Sequence, residues 1–104
     1  MTLFEKIIAR EIPSDILYED DKVIAIYDIH PKQPGHFLVI PKQTKENILG
    51  HDQELSSYLF LKALELARKL VESGQISGFK LQINTGTSAG QEVMHTHIHI
   101  IPYK

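Results

Sequence analysis

Apolar and polar positions along the chain follow two periods. Several short stretches alternate with period two, and one long stretch repeats with the 3.6-residue period of an amphipathic helix. Thr2 followed by Glu5 has capping-box spacing, and Leu3, Phe4, Ile7 and Ile8 give an apolar stripe behind it. A short helix is therefore predicted from here to about Arg10, ended by Pro13. Ile16 to Glu19 is predicted as a short strand, and Asp20-Asp21 as a solvated hairpin turn. Lys22 to Asp28 is the next strand. It is apolar on both faces, Val23, Ala25 and Tyr27 on one and Ile24 and Ile26 on the other, so both faces are expected to be covered. Pro31, Pro34 and Gly35 enforce a loop, and His36 to Ile40 returns as a strand closed by Pro41. So short a link predicts an antiparallel pair.

Thr44 to Gly50 carries no period. Asp52 is placed to cap a long helix that runs to about Glu72 and stops before Gly74. Leu55, Leu59, Phe60, Ala63, Leu64, Leu66, Ala67, Leu70 and Val71 project onto one arc of about half its circumference. That is wider than packing on one sheet demands. The helix is either sunk deeply into its own core or shared with a second subunit. Phe79 to Thr85 alternates again, with Phe79, Leu81 and Ile83 expected inward and Lys80, Gln82 and Asn84 outward. A small-residue loop from Gly86 to Gln91 leads through Glu92, Val93 and Met94 into a last strand, His95 to Ile101. Five strands and two helices, with hairpin-length links and one long helical crossover, predict an α+β fold with a mainly antiparallel sheet.

Composition narrows the class of protein. At 104 residues, 42% hydrophobic and 23% charged, the chain is expected to be one folded domain, 1–104, with a modest core that dimerisation would help. The net charge of −2 includes no long basic run, so no nucleic-acid partner is expected. There is no cysteine, which removes disulfides and thiolate chemistry. The charged N-terminus does not read as a signal peptide, and no apolar run approaches the roughly 20 residues of a membrane span. The expectation is a soluble, cytoplasmic protein without a membrane partner.

The last strand carries the candidate chemistry. His95, His97 and His99 alternate with Thr96, Ile98 and Ile100, which places three imidazoles on one strand face about 7 Å apart at Cα. Three readings compete: a coincidental or pH-sensitive surface, a metal site, and phosphoryl or nucleotidyl transfer through a histidine nucleophile. Adjacent side chains on one strand stand parallel and converge poorly on one ion, so a zinc site would borrow a ligand such as His36. A nucleophile needs a neutral imidazole, groups that fix its tautomer, and a cradle for the anion. The Gly86–Gly90 loop could offer such a cradle through successive N–H groups. His30 and His51 are read as surface loop histidines.

Gly90-Gln91-Glu92-Val93-Met94-His95-Thr96-His97-Ile98-His99-Ile100-Ile101 resembles the signature of the histidine triad (HIT) superfamily, His-φ-His-φ-His-φ-φ with φ apolar. Thr96 is a mild departure from φ. Tyr27-Asp28-Ile29-His30-Pro31 and Pro34-Gly35-His36-Phe37-Leu38-Val39-Ile40-Pro41-Lys42 resemble a second block of the family. Phe4-Glu5-Lys6-Ile7-Ile8 and Glu11-Ile12-Pro13 are similar to the start of its Hint branch, the purine nucleoside phosphoramidases. The resemblance implies a homodimer in which two five-stranded sheets join, each with one short N-terminal and one long helix. It implies a purine nucleotide substrate cleaved between its α-phosphorus and a leaving group through a nucleotidyl-histidine. His97 would then be the nucleophile and His99 a phosphate contact, with His95 and His36 completing the network. Asp28 would hold the ribose; Leu3, Phe4, Ile7, Ile26 and Ile29 would line the base pocket. Asn84 and the backbone of Gly90 and Gln91 would meet phosphate and ribose. Glu92 stands where serine is common, so it is expected to act through its backbone. Thr44 stands where a histidine is common, and Lys104 comes where some members continue into a tail. No cofactor is required on this reading. Dinucleoside polyphosphate hydrolysis and a non-catalytic nucleotide- or zinc-binding regulator are the alternatives.

Overall fold

Five strands form one antiparallel sheet in the order β1-β2-β3-β5-β4, in a computed structural model that describes residues 1–104. The strands are β1 (Ile16–Glu19), β2 (Val23–Tyr27), β3 (Phe37–Pro41), β4 (Gly78–Gln82) and β5 (Ile98–Tyr103). Two helices, α1 (Leu3–Ile8) and α2 (Gln53–Glu72), cover opposite faces of the sheet. The only long excursion, from β3 through α2 to β4, brings β5 between β3 and β4.

Strand pleat sorts the side chains into two cores. Val23, Ala25, Phe37, Val39, Ile98 and Ile100 face α2, whose Leu59, Ala63, Leu66 and Ala67 close over them. Ile24, Ile26, Leu38 and Ile40 face the other way, toward Phe4 and Ile7 of α1. This accounts for the two-sided apolarity of β2. The α1 side is covered by six helical residues, and that leaves room on the sheet for a cleft.

The predicted caps are present. Thr2 accepts from the Glu5 N–H at 3.2 Å, and the Glu5 carboxylate accepts from the Thr2 N–H at 2.8 Å. Asp52 accepts from the Leu55 N–H at 2.8 Å. Helix α1 stops two residues earlier than predicted, because Arg10 takes a left-handed φ of 64° that ends the helical path. The Asp20 turn is a structural anchor: its carboxylate accepts from the Lys22 and Val23 N–H groups and from the Tyr18 and Tyr58 hydroxyls, tying α2 to the β1–β2 hairpin.

Three expectations need correction. Strand β5 begins at Ile98, so His95, Thr96 and His97 lie before the ladder. Its pairing with β3 ends at Val39–Ile98 and with β4 at Gln82–His99. Strand β4 correspondingly stops at Gln82. Leu81 does not point into a core but stands 37% exposed on the edge strand. On α2 the sheet covers only the centre of the apolar stripe; Phe60 and Leu64 are half-buried and Val71 is exposed, as is Leu61 just outside the stripe.

Candidate active site

The cleft lies between α1 and the sheet. It encloses about 680 Å³, with Phe4, Ile7 and Ile26 on its apolar side and His36, His97 and His99 on its polar side. Asp28, Ile29, Asn84, Gly90 and Glu92 line the same cleft. The chain therefore brings most of the expected site residues to one place. It does so through register: His99 sits opposite Leu38 on one side and Gln82 on the other, facing α1.

The backbone fixes the imidazole protons. A carbonyl oxygen can only accept and an amide N–H can only donate, so each contact assigns a tautomer. His97 Nδ1 lies 2.7 Å from the His95 carbonyl, so Nδ1 carries the proton. Its Nε2 keeps a free lone pair, makes no bond within the chain and reaches the cleft. The Lys32 N–H donates to His36 Nδ1 at 3.1 Å, so the His36 proton is on Nε2. That proton is given to His99 Nδ1 at 3.0 Å, which places the His99 proton on Nε2. One face thus presents a bare nitrogen beside a donor N–H, with the His97 and His99 rings 5.0 Å apart.

Burial keeps these rings neutral. Desolvation lowers the pKa of His97 below the usual histidine value, against the raising effect of the His95 carbonyl. Burial, then the neighbouring His97 and His36, push His99 down to about 4. His36 is likewise lowered by burial, with Asp28 working in the opposite sense.

His95 plays a different part from its two partners. Its ring is fully buried, donates from Nε2 to the Pro41 carbonyl at 2.8 Å, and leaves Nδ1 without a partner. Its link to His97 is its own carbonyl. Phe4 packs edge-on against both rings, with centroids 4.9 Å from His97 and 6.0 Å from His95.

Asp28 closes the other end. One carboxylate oxygen accepts from the His30 N–H at 2.9 Å; the other lies 3.6 Å from His36 Nε2. Asp28, His36 and His99 bring ligand atoms within 4.8 Å of one another, the spacing of a metal site. The donor set fits an ion poorly. A metal on His36 Nε2 would require Nδ1 to carry the proton, and the Lys32 N–H already points at Nδ1. The arrangement suits a shared proton better than zinc.

The glycine loop departs from its expected role. The Ala89, Gly90 and Gln91 N–H groups are spent on the Gly86 and Thr87 carbonyls. They close a 3₁₀ turn over 87–89, so they form no anion nest. The Glu92 and Val93 N–H groups next in sequence donate to nothing within the chain, and both residues line the cleft. Gln91 is turned away and buried, bonding the Glu46 and Val93 carbonyls and the Gly86 N–H. Asn84 donates to the Gly90 carbonyl at 3.3 Å and so fixes the loop against the cleft.

His51 is not a free surface residue. Its Nε2 lies 2.7 Å from the Thr96 hydroxyl, and its Nδ1 lies 2.9 Å from Gln43 Oε1. No periodic signal marks a histidine in an irregular segment; only the polar Thr96 at an apolar position hinted that something must meet it.

Comparison with known proteins is consistent throughout. Residues 9–104 match the HIT domain family. An uncharacterized 13.1 kDa HIT-like protein of Mesomycoplasma hyorhinis is 50% identical over 97% of this chain and 91% of its own. A HIT family hydrolase from Clostridium thermocellum superposes with a TM-score of 0.85 at 39% identity, over 99% of this chain and 90% of that one. A hypothetical histidine triad nucleotide-binding protein from Sulfolobus tokodaii gives 0.87 at 40% identity, over 96% and 67%. No helix is long and apolar enough to cross a membrane.

Proposed function

The chain belongs to the HIT domain family, and from that premise we propose that it hydrolyses purine nucleoside phosphoramidates through a nucleotidyl-histidine on His97. The observation that carries this reading is the tautomer pattern. His97 offers a bare Nε2 to the cleft while its Nδ1–H is held by the His95 carbonyl.

The base would lie among Phe4, Ile7, Ile26 and Ile29, and the ribose hydroxyls would donate to Asp28, whose carboxylate faces the cleft. The α-phosphate would then meet His97, with His99 Nε2–H and the Glu92 and Val93 N–H groups donating to its oxygens. In the first step His97 Nε2 forms a bond to phosphorus and the phosphorus–nitrogen bond breaks. The leaving amine keeps the bond pair and takes a proton from solvent at the mouth of the cleft. Water then attacks phosphorus, the Nε2–phosphorus bond returns its pair to the imidazole, and the water proton is released. Pre-placed donors stabilise the charge on the phosphate oxygens in both steps. Apart from solvent water and its protons, each step uses groups of this chain alone, and no cofactor is invoked.

Homodimerisation is part of the same proposal. Leu81 on the open edge of the sheet, with Leu61 and Val71 on the uncovered flank of α2, supports the shared-helix reading of the stripe.

The test is His97→Ala. Turnover of an adenosine phosphoramidate should be lost while nucleotide affinity stays within about three-fold, because the ring contributes one contact among many. Intact-mass measurement on the wild type with a slow substrate should show one nucleotidyl adduct, absent in the variant. Retained turnover would sink the nucleophile assignment.

A further inference from the structure

His97 is held by a peptide unit that is itself held from behind. The His95 carbonyl and the Thr96 N–H belong to one trans peptide and point in opposite directions. The carbonyl receives the His97 Nδ1–H at 2.7 Å, and the Thr96 N–H donates to the Lys45 carbonyl at 3.1 Å. The result is a hydrogen-bond chain from Lys45 through the 95–96 peptide to the imidazole, in which each link polarises the next. This peptide precedes β5, so no ladder bond fixes its plane.

What fixes it is Thr96. The residue is 1% exposed, and its hydroxyl lies 2.7 Å from His51 Nε2, with the Lys45 carbonyl farther off at 3.4 Å. His51 in turn follows a 3₁₀ turn at Ile48–Gly50, and Gln43 holds its other nitrogen at 2.9 Å. Gln43, Lys45 and His51 all lie in the segment that joins β3 to α2, so this linker grips the peptide at both its N–H and its side chain.

We propose that His51 is a positioning residue for the nucleophile, acting through the Thr96 hydroxyl to hold the 95–96 peptide and hence the proton on His97 Nδ1. The inference rests on His97 as the nucleophile, and its first readout needs no substrate. If the peptide rotates, the His95 carbonyl leaves the imidazole plane, the Nδ1–H loses its acceptor, and Nε2 loses its aim at phosphorus. Misplacement of this kind lowers the chemical step more than binding.

The test uses Thr96→Val, Thr96→Ser and the double variant Thr96→Val/His51→Leu. In nitrogen-15 spectra of the ligand-free protein, His97 should show one Nδ1–H tautomer in the wild type and in Thr96→Ser. Thr96→Val should show tautomer averaging and faster exchange of that proton. With an adenosine phosphoramidate, kcat of Thr96→Val should fall about ten-fold with KM within about two-fold, and Thr96→Ser should recover most of the loss. Replacing both partners of a hydrogen bond with apolar groups of similar shape is close to neutral for stability. The double variant should therefore melt near the wild type and still keep the kcat defect. A double variant with wild-type kcat and an unaltered His97 tautomer would overturn the proposal and leave the contact as a loop tie. A wild type that shows the tautomer pattern but never turns over phosphoramidates would instead count against the function proposed above.

Discussion

Replacing Phe4 with alanine separates the two sides of the sheet. Phe4 is 4% exposed and Ile7 6%, and they are the buried residues of α1. Full burial of such side chains contributes about 1.5–3 kcal/mol each, so together they hold α1 down with about 3–6 kcal/mol. Ordering costs about 1–2 kcal/mol per residue, and a helix of six residues has little stability of its own. The capping box and the main-chain bonds of the turn, about 0.5–1.5 kcal/mol net each, offset most of that cost and leave a net docking energy on the order of 1 kcal/mol. Phe4→Ala removes more than that, so α1 should leave the sheet while β1–β5 and α2 remain folded. The loss of global stability is capped at the docking energy, which limits the fall in Tm to about 8 °C. Phe37→Ala, in the core under α2, should cost about 3–5 kcal/mol and lower Tm by at least about 12 °C.

Three measurements follow the same event. Hydrogen exchange at the Lys6, Ala9 and Arg10 amides, which bond Thr2, Glu5 and Ile7 carbonyls, should become fast. The His97 titration should move up toward the ordinary value of about 6.5, because the Phe4 ring 4.9 Å away no longer excludes water. Activity as kcat/KM should fall by at least about 10- to 100-fold, because the Phe4 contact is lost outright and Ile7 leaves with the helix. A Phe4→Ala protein that loses as much Tm as Phe37→Ala, or keeps its α1 amides protected, would refute this picture of a separately docked helix.

Three more outcomes are expected. His97 and His99 have pKa values lowered in the folded state, so kcat/KM should stay level as pH falls through about 6.5 and bend only below it; a bend at or above 6.5 in a pH–rate series would contradict the burial argument. The same shifts mean the unfolded chain takes up protons first, so stability from these rings is complete above about 6.5 and is lost as pH falls toward the His99 value of about 4, which melts across that range would show. Burial works to raise the Asp20 carboxyl, but hydrogen bonds from Tyr58, Val23, Lys22 and Tyr18 outweigh it and hold it well below the usual range. Asp20→Ala should cost at least about 2 kcal/mol in urea unfolding with kcat/KM unchanged, since hydrogen bonds to a charged acceptor are worth about 1.5–3 kcal/mol each.

Period and caps carried the fold a long way. The two-sided apolarity of β2 foretold a layer on each face of the sheet, and the spacings at Thr2 and Asp52 marked both helix starts. The row of histidines located the cleft. What escaped was set by partners far along the chain. Alternation at His95–Ile101 looks the same whether or not a neighbouring strand is present, and the ladder in fact begins only at Ile98. Glycines suggested free amides, yet Gly86 and Thr87 carbonyls consume them within the turn. Leu81 alternates as an inward residue should, but an edge strand has nothing beyond it. Lys32 and His51 act through a backbone N–H and a distant hydroxyl, and neither leaves a mark in a one-dimensional pattern.

Three of the four imidazole tautomers are set by main-chain atoms. The Lys32 N–H sets His36, the His95 carbonyl sets His97 and the Pro41 carbonyl sets His95. Substituting the side chain at Lys32 leaves its amide in place, so drift in sequence at that position does not disturb the tautomers while the chain keeps its path. Inheritance of the chemistry then follows the shape of two loops rather than the identity of their residues. A graft that moved the histidines alone onto another sheet would carry the imidazoles without their protons in order.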